Sequence, residues 1–237
     1  MHIAILVTNT DESAFAGRHP RDGAKFAGLL GALRPDWRFS EYSVKDGFFP
    51  ATLDGFDGII VTGSPASVHD AHPWIARLLD VLRDAAGQGV PMFGACFGHQ
   101  AIAMALGGTV GRNPDGWVLG LVHTQIQGLG PIRLYAAHLE QVTTLPEGAV
   151  VVGQTDSCPI AAMRIGSHIL TTQYHPEMTP AFIAALVTEL DGHLPAEVLT
   201  RARASLTEQA DTPRIAAHIV AFLEAQDSAA SRSIAVT

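Results

Sequence analysis

A cysteine between two glycines is the residue of this chain best suited to covalent chemistry. Cys96 stands in the segment Gly94-Ala95-Cys96-Phe97-Gly98, after an apolar strand pattern and before a helical pattern. Glycines two residues to either side are typical of the sharp turn that presents a nucleophile, because side chains there would leave no room. The start of the next helix favours a thiolate, and the Phe97 N–H would point at a developing oxyanion. The alternative is an inert, buried cysteine.

A thiolate nucleophile needs a base, and the base needs a group that orients it. Among the 11 histidines, His175 is distinguished because it follows the strand pattern that ends at Tyr174 and precedes Pro176 and Glu177. In an open α/β sheet the carboxyl ends of parallel strands share one edge, so His175 is expected beside Cys96. Glu177 can reach back to fix the imidazole tautomer. The alternative is a surface histidine before a turn.

The elements that must position these residues alternate between strand and helix patterns. This alternation favours an α/β fold with a doubly wound, mostly parallel sheet flanked by helices. The stretch from Gly108 to Met163 is rich in Thr, Val, Ile and Gly, which indicates an added antiparallel strand region. The predicted strands are Ile3–Val7, Trp37–Val44, Phe56–Thr62, Val90–Gly94 and Ile169–Tyr174, and the predicted helices are Gly23–Leu33, Pro73–Ala86, Gln100–Leu106 and Pro180–Leu190.

The sequence also suggests how the chain divides. We predict a catalytic domain over residues 1–190 and a C-terminal helical extension over residues 191–225, with two helices broken near Pro213. This extension is expected to pack on the same domain, although packing on a second copy of the chain in an oligomer is also open. Small and polar residues over 226–237 indicate a flexible tail.

Composition limits the possible partners and compartment. The 237 residues include 23 acidic and 15 basic side chains, a formal net charge of −8 without basic clusters, which argues against nucleic acid and anionic membrane as partners. No apolar run approaches the ~18–20 residues of a membrane span. The N-terminus lacks secretory signal features, and two distant cysteines cannot form a disulfide framework, so we expect a cytoplasmic protein. Cys158 is expected to be a packed core thiol.

The elbow and the histidine segment together resemble the class I glutamine amidotransferases. The G-x-C-x-G-x-Q element of that family is present as GACFGHQ over Gly94–Gln100, and its H-P-E element as His175-Pro176-Glu177. The resemblance spans Met1 to Leu190. Within the family, the sequence is similar to the stand-alone branch that includes plant γ-glutamyl peptidases, and to GMP-synthase-like amidotransferase domains. Further matching segments are Thr62–Pro65, Leu106–Arg112, Gly116-Trp117, Leu145-Pro146 and Cys158–Arg164.

The resemblance implies a flavodoxin-like fold and attack on a γ-glutamyl group through a thioester. It implies that Cys96 is the nucleophile, His175 the base and Glu177 its orienting group. The backbone amides of Gly63 and Phe97 would then form the oxyanion hole. The expected substrate is a small molecule, either glutamine or another γ-glutamyl compound.

The same resemblance places Gln100, Ser64 and His138 at the substrate. Glu140 stands where some family members carry a shorter carboxylate, so selectivity for glutamine stays open. No cofactor is implied. We also expect no metal, because an H-x-x-H pair without further ligands is a weak signal.

Three functions remain open at this stage. The protein could hydrolyse glutamine as an amidotransferase subunit for a separate ammonia-accepting synthase, since no P-loop pattern and no second synthase-sized domain occurs in the sequence. It could act without a partner as a γ-glutamyl peptidase on peptides or conjugates. It could also be a catalytically silent binding or regulatory module on the same fold. The Cys, His, Glu and Gly elements argue against the third function.

Overall fold

A computed structural model describes the backbone of residues 1–234 and the side chains of residues 1–225. This part of the chain contains eleven strands and six α-helices. The strands are β1 (His2–Val7), β2 (Arg38–Ser43), β3 (Gly58–Val61), β4 (Met92–Ala95), β5 (Thr109–Arg112), β6 (Val118–Ile126), β7 (Gly130–His138), β8 (Glu140–Thr144), β9 (Ala149–Gln154), β10 (Ala162–Ile165) and β11 (Ile169–Thr172). The helices are α1 (Asp22–Gly31), α2 (Pro73–Gly87), α3 (Phe97–Ala105), α4 (Pro180–Glu189), α5 (Ala196–Ser205) and α6 (Thr212–Ile234).

Nine strands form one mixed sheet in the order β2-β1-β3-β4-β11-β10-β9-β6-β7. The first five strands in this order pair in parallel, and all later pairs are antiparallel. Strands β5 and β8 form a separate antiparallel pair. The predicted α/β fold with an antiparallel addition is therefore confirmed. The three central parallel strands β3, β4 and β11 are buried along their whole length, as expected for strands that helices cover on both faces.

Helices cover both faces of the parallel strands. Because side chains alternate along a strand, β1 sends Ile3 and Ile5 into the core formed with α1 and α6, and it sends Leu6 into the core formed with α2 and α3. This arrangement leaves the carboxyl ends of the parallel strands as the common edge at which their following loops meet.

The helices after Leu190 pack against the sheet. Helix α5 buries Val198 and Leu199 in a cluster with Leu119 of β6, and α6 buries Ile219 and Leu223 in the core beside β1. The break near Pro213 is confirmed, because α5 ends at Ser205 and α6 begins at Thr212. Helix α6 continues through Ile234 across most of the stretch predicted to be a flexible tail, and residues 235–237 lie outside the described residues.

Two element boundaries near the candidate site differ from the prediction. Helix α3 begins at Phe97 rather than Gln100, because Cys96 alone makes the turn out of β4. Strand β11 ends at Thr172 rather than Tyr174. Beyond Thr172 the backbone leaves the ladder: the Gln173 N–H donates to the Ala161 carbonyl and the His175 N–H to the Tyr135 carbonyl.

Candidate active site

The backbone at Cys96 adopts a conformation that side chains rarely take. Its φ of 50° and ψ of −107° make it the one non-glycine residue with positive φ in the described part of the chain. The turn is held at both sides: the Cys96 N–H donates to the Thr172 carbonyl at 2.9 Å, and the Cys96 carbonyl accepts from the Gln100 N–H at 3.1 Å. A non-glycine residue in this region is strained, and such strain concentrates at functional sites. The elbow predicted from the sequence is therefore present.

The glycines around Cys96 are required by close backbone contacts. A Cβ on Gly98 would lie 2.3 Å from the Val61 carbonyl oxygen, and a Cβ on Gly94 would lie 2.7 Å from the Gly98 carbonyl oxygen. The Gly98 N–H also donates to the Thr62 carbonyl at 3.1 Å. The start of α3 therefore packs directly on the end of β3, which brings Cys96 next to the loop that follows β3.

His175 and Glu177 form a buried pair at the same edge of the sheet. His175 Nδ1 lies 2.7 Å from Glu177 Oε1, and the two side chains are 7% and 1% exposed. The carboxylate can only accept, so Nδ1 carries the proton and Nε2 faces away from Glu177. Nε2 has no hydrogen-bond partner among the described side chains. The imidazole is thus oriented as a general base or acid with its second nitrogen unoccupied.

Charges around His175 favour its protonated form. Burial lowers the pKa of His175, whereas the charges of Glu177 and Cys96 and the hydrogen bond to Glu177 raise it, and the net result is a pKa well above the ordinary histidine value. A carboxylate on one side and a sulfur on the other therefore suit an imidazolium between them. This is the electrostatic arrangement that a thiolate–imidazolium pair requires.

Gly63 lies between the nucleophile and the base. A Cβ on Gly63 would lie 2.9 Å from Cε1 of His175 and 3.6 Å from Cβ of Cys96. Thr8, at the end of β1, secures this loop: its hydroxyl donates to the Gly63 carbonyl at 3.0 Å and its N–H donates to Thr62 Oγ1 at 3.0 Å. The loop carrying the predicted oxyanion donor is therefore fixed from the neighbouring strand.

The second predicted oxyanion donor, the Phe97 N–H, belongs to the first residue of α3. The first N–H groups of a helix have no partner within it, and they carry the positive end of its dipole. The Phe97 ring is fully buried and packs 5.6 Å from the Trp74 ring, measured between centroids. This packing holds the first residue of α3 in place.

The three residues expected at the substrate differ in what they contact. Both N–H groups of the Gln100 amide are engaged within the protein, at 2.7 Å to the Glu140 carbonyl and at 3.2 Å to Gln173 Oε1. Only Oε1 of Gln100 could therefore meet a substrate. Ser64 follows Gly63, is half-buried, and accepts a hydrogen bond from the Ala66 N–H at 3.1 Å.

His138 is the third of these residues. Its Nδ1 donates to the Glu140 carbonyl at 3.1 Å, so its Nε2 is an acceptor, and that buried atom has no partner among the described side chains. Burial lowers the pKa of His138 to about 4, against a smaller rise from its hydrogen bond to Glu140, and the charge of His175 lowers it further. The ring is therefore neutral and offers a lone pair close to His175.

The carboxylate of Glu140 accepts a hydrogen bond from Ser67 Oγ at 2.7 Å. Ser67 belongs to the loop that begins at Gly63, so Glu140 ties this loop to the start of β8. The longer side chain of Glu140 thus reaches the loop that carries Gly63.

Cys158 lies in a different environment, at the end of a turn. The Cys158 N–H donates to the Thr155 carbonyl, and the Cys158 carbonyl accepts from the Thr155 N–H. It is 1% exposed and belongs to the apolar core. Burial raises the pKa of its thiol to about 12. The structure thus places this cysteine as a packed, protonated core residue.

Other ligand classes find little support in the described residues. Side chains 1–225 include no group of three or more His, Cys, Asp or Glu residues that could hold a metal ion. The H-x-x-H pair of the sequence is His69 and His72, and His69 has Nε2 at 3.0 Å from the Val110 carbonyl oxygen. No helix within residues 1–234 is both long enough and apolar enough to cross a membrane.

Sequence reasoning missed three contributors to the site. They are the Gln173 side chain, 3.7 Å from Cys96 Sγ, the Thr8 hydroxyl, and the Tyr135 carbonyl, which accepts from the His175 N–H at 2.8 Å. One signal was available for Gln173, because residues two apart in an extended segment lie on the same side and His175 is two residues further on. The long-range partners Thr8 and Tyr135 had no such signal.

The fold and this site define the class of protein. The family model for glutamine amidotransferase class-I matches residues 40–183, more than half of the chain. The protein belongs to the class I glutamine amidotransferase family. A glutamine amido transferase from Methylobacillus flagellatus has a solved structure that matches with a TM-score of 0.74, covering 95% of this chain and 94% of that one at 23% identity, which shows the shared fold.

Two relatives within the family differ in how much of their own length matches this chain. γ-Glutamyl peptidase 3 of Arabidopsis thaliana is 29% identical over 178 residues, which cover 68% of this chain and 71% of that protein. The glutamine-hydrolysing GMP synthase of Clostridium novyi is 34% identical over 130 residues, which cover 51% of this chain but only 24% of the synthase. The chain is therefore similar to a large part of the peptidase and to about a quarter of the synthase.

Proposed function

We propose that this protein hydrolyses γ-glutamyl amide bonds through a covalent thioester on Cys96. The observation that carries the proposal is the convergence at Gly63, where Cys96 and the oriented His175–Glu177 pair both come into contact range. Three separate segments meet at one point: the elbow of Cys96, the loop of Gly63, and the segment that carries both His175 and Glu177. A structural role for any one of these residues does not require this convergence.

The residues allow the following sequence of steps. Cys96 Sγ, having given its proton to Nε2 of His175, attacks the γ-carbonyl carbon, and the N–H groups of Gly63 and Phe97 stabilise the oxyanion. Collapse of the tetrahedral intermediate breaks the C–N bond, and His175 gives its proton to the departing amine. Water, deprotonated by His175, then attacks the thioester, releasing the γ-carboxylate and restoring the thiol.

The remaining residues support recognition of the substrate. His138 offers a fixed acceptor at Nε2, which suits an N–H group of an amide or amine. Ser64 extends the loop that carries Gly63. We assign His138, Ser64 and the free oxygen of Gln100 to the substrate on these grounds.

Cleavage of γ-glutamyl peptides without a partner is the favoured form of this activity. The peptidase relatives align over most of their length, whereas the GMP synthase relative aligns over a quarter of its own. The alternative is hydrolysis of glutamine for a separate synthase that accepts the ammonia.

The test compares matched substrates on the purified protein alone. We expect release of glutamate from γ-glutamyl dipeptides and none from the α-linked dipeptides of the same composition, since only the linkage differs. Fast turnover of glutamine alone, or turnover only after a synthase is added, would favour the subunit function instead. A folded protein that cleaves no γ-glutamyl substrate contradicts the proposal.

A further inference from the structure

The sulfur of Cys96 lies between one hydrogen-bond donor and one acceptor. Gln173 Nε2 is 3.7 Å from Sγ, and the Ala137 carbonyl oxygen is 3.9 Å from it. The carbonyl can only accept, so it suits the S–H of a neutral thiol. The amide can donate its N–H, and such a bond is stronger to an ionised acceptor, so it suits the thiolate. Each partner therefore matches one protonation state of the nucleophile.

The direction of the Gln173 amide is fixed by its neighbours. The chain of bonds starts at the Glu140 backbone carbonyl, which is an acceptor and cannot reverse. It accepts from Gln100 Nε2 at 2.7 Å, and the second N–H of that group donates to Gln173 Oε1 at 3.2 Å. Reversal of Gln173 would set two NH₂ groups against each other. The NH₂ of Gln173 must therefore face the sulfur.

Burial gives this chain of amides its strength. Gln173 is fully buried and Gln100 is 4% exposed, so water does not compete for either side chain. The backbone of Gln173 is held independently, because its N–H donates to the Ala161 carbonyl at 2.7 Å. A side-chain substitution at this position thus leaves the end of β11 anchored.

We propose that Gln173 is a positioning residue that stabilises the thiolate of Cys96, and that Gln100 acts through it by fixing the direction of its amide. The inference deepens the proposed function and rests on the role of Cys96 as the nucleophile. It gives the Gln of the elbow segment a task inside the protein, in addition to any contact of its oxygen with substrate.

The test measures thiolate formation directly, without any γ-glutamyl substrate. In a Cys158→Ala background, the rate of Cys96 alkylation by iodoacetamide is followed against pH by mass spectrometry. Gln173→Met keeps the side-chain length and removes the donor, and we expect the midpoint of the profile to rise by about one pH unit. Gln100→Met, which frees the Gln173 amide to turn, is expected to shift it in the same direction by less.

One control variant and a measurement of thermal unfolding make the result decisive. Gln88→Met replaces an exposed glutamine at the end of α2 and should leave the profile unchanged. A midpoint unchanged in both Gln173→Met and Gln100→Met, with thermal unfolding as in the parent, overturns the inference. Should Gln173→Met fail to fold, Gln100→Met alone decides. Because alkylation needs no turnover, failure of this inference and failure of the proposed hydrolase activity are separate results.

Discussion

The two cysteines are both buried, yet their surroundings assign them opposite chemistry. Cys96 is 5% exposed and Cys158 is 1% exposed, so accessibility hardly separates them. Cys96 occupies a strained turn at the start of a helix, beside an imidazole whose pKa is raised. The side chain of Cys158 lies in the apolar core, where burial raises the thiol pKa to about 12. We therefore expect the charges and hydrogen-bond donors within reach of each sulfur, rather than burial alone, to determine the reactivity of the two thiols.

The largest expected difference between the two cysteines is in turnover. Replacing Cys96 by alanine removes the atom that would form the proposed thioester, so we expect kcat for γ-glutamyl cleavage to fall by about 10⁴-fold or more. Steady-state kinetics of purified Cys96→Ala and Cys158→Ala, side by side, measure the difference. Comparable loss in both variants, or full activity in Cys96→Ala, would end the distinction drawn between them.

A smaller loss of kcat is expected from substitution of Gly63, which lies next to Cys96 and His175. A methyl group there would lie 2.9 Å from the His175 ring and must displace the ring or the loop, so we expect Gly63→Ala to lower kcat by about 10²–10³-fold. Gly28→Ala in α1, where a Cβ meets no atom within 4 Å, is the matched control and should retain activity. A normal kcat in Gly63→Ala would contradict the proposed role of this loop in the oxyanion hole.

Substitution of Glu177, the carboxylate that orients His175, is expected to lower kcat less than substitution of Gly63. Glu177→Gln keeps the shape and removes the charge, which lowers the pKa of His175 and costs about 10²-fold in kcat. The pH–rate profile should shift with it. A profile that is unchanged apart from its height would mean that Glu177 acts only sterically.

The pair of His175 and Glu177 is also expected to make the free energy of unfolding depend on pH. The pKa of His175 is raised above its unfolded value of about 6.5, so the folded state binds more protons above that pH. Its contribution to the free energy of unfolding is therefore complete below about pH 6.5 and is lost as pH rises through the folded pKa. Urea unfolding at several pH values should show this decline in the parent and a flatter one in Glu177→Gln.

The smallest effect is predicted for Cys158. Replacing it by alanine removes one buried sulfur from the core and should cost about 1–2 kcal/mol in the free energy of unfolding, with kcat unchanged. Denaturant titration measures the first quantity, and the kinetic comparison above measures the second. Labelling by iodoacetamide at pH 8 in the parent should modify Cys96 and leave Cys158 intact, and the reverse pattern would contradict the environments described for the two thiols.

The sequence was sufficient for the parts of the molecule that depend on local pattern. The elbow glycines were predictable because their spacing around Cys96 has one steric explanation, which the contacts of Gly94 and Gly98 bear out. The strand and helix order followed from periodicity. The start of α3 was placed too late, since a helix that begins directly after a strained residue carries no conventional capping signal.

The partners that hold the site could not be predicted in the same way. Thr8 secures Gly63 from 55 residues away, and Gln100 contacts Glu140 from 40 residues away. A lone threonine or a backbone carbonyl has no sequence pattern that reveals its partner. These contacts follow only from the strand order, which places β1 beside β3 and the antiparallel strands near β11.

The bond between the Tyr135 carbonyl and the His175 N–H has a consequence for the order in which the protein folds. The turn at Cys96 is built from β4 and α3, from the neighbouring end of β3, and from the Thr172 carbonyl of β11, which accepts from the Cys96 N–H. The backbone of His175 must await the β6–β7 hairpin, whose contact closes a loop of about forty residues and bears an entropic cost. The backbone turn at Cys96 needs no part of this hairpin, so we expect it to form before the backbone of His175 is fixed, and the proposed hydrolysis to begin only when the hairpin has docked.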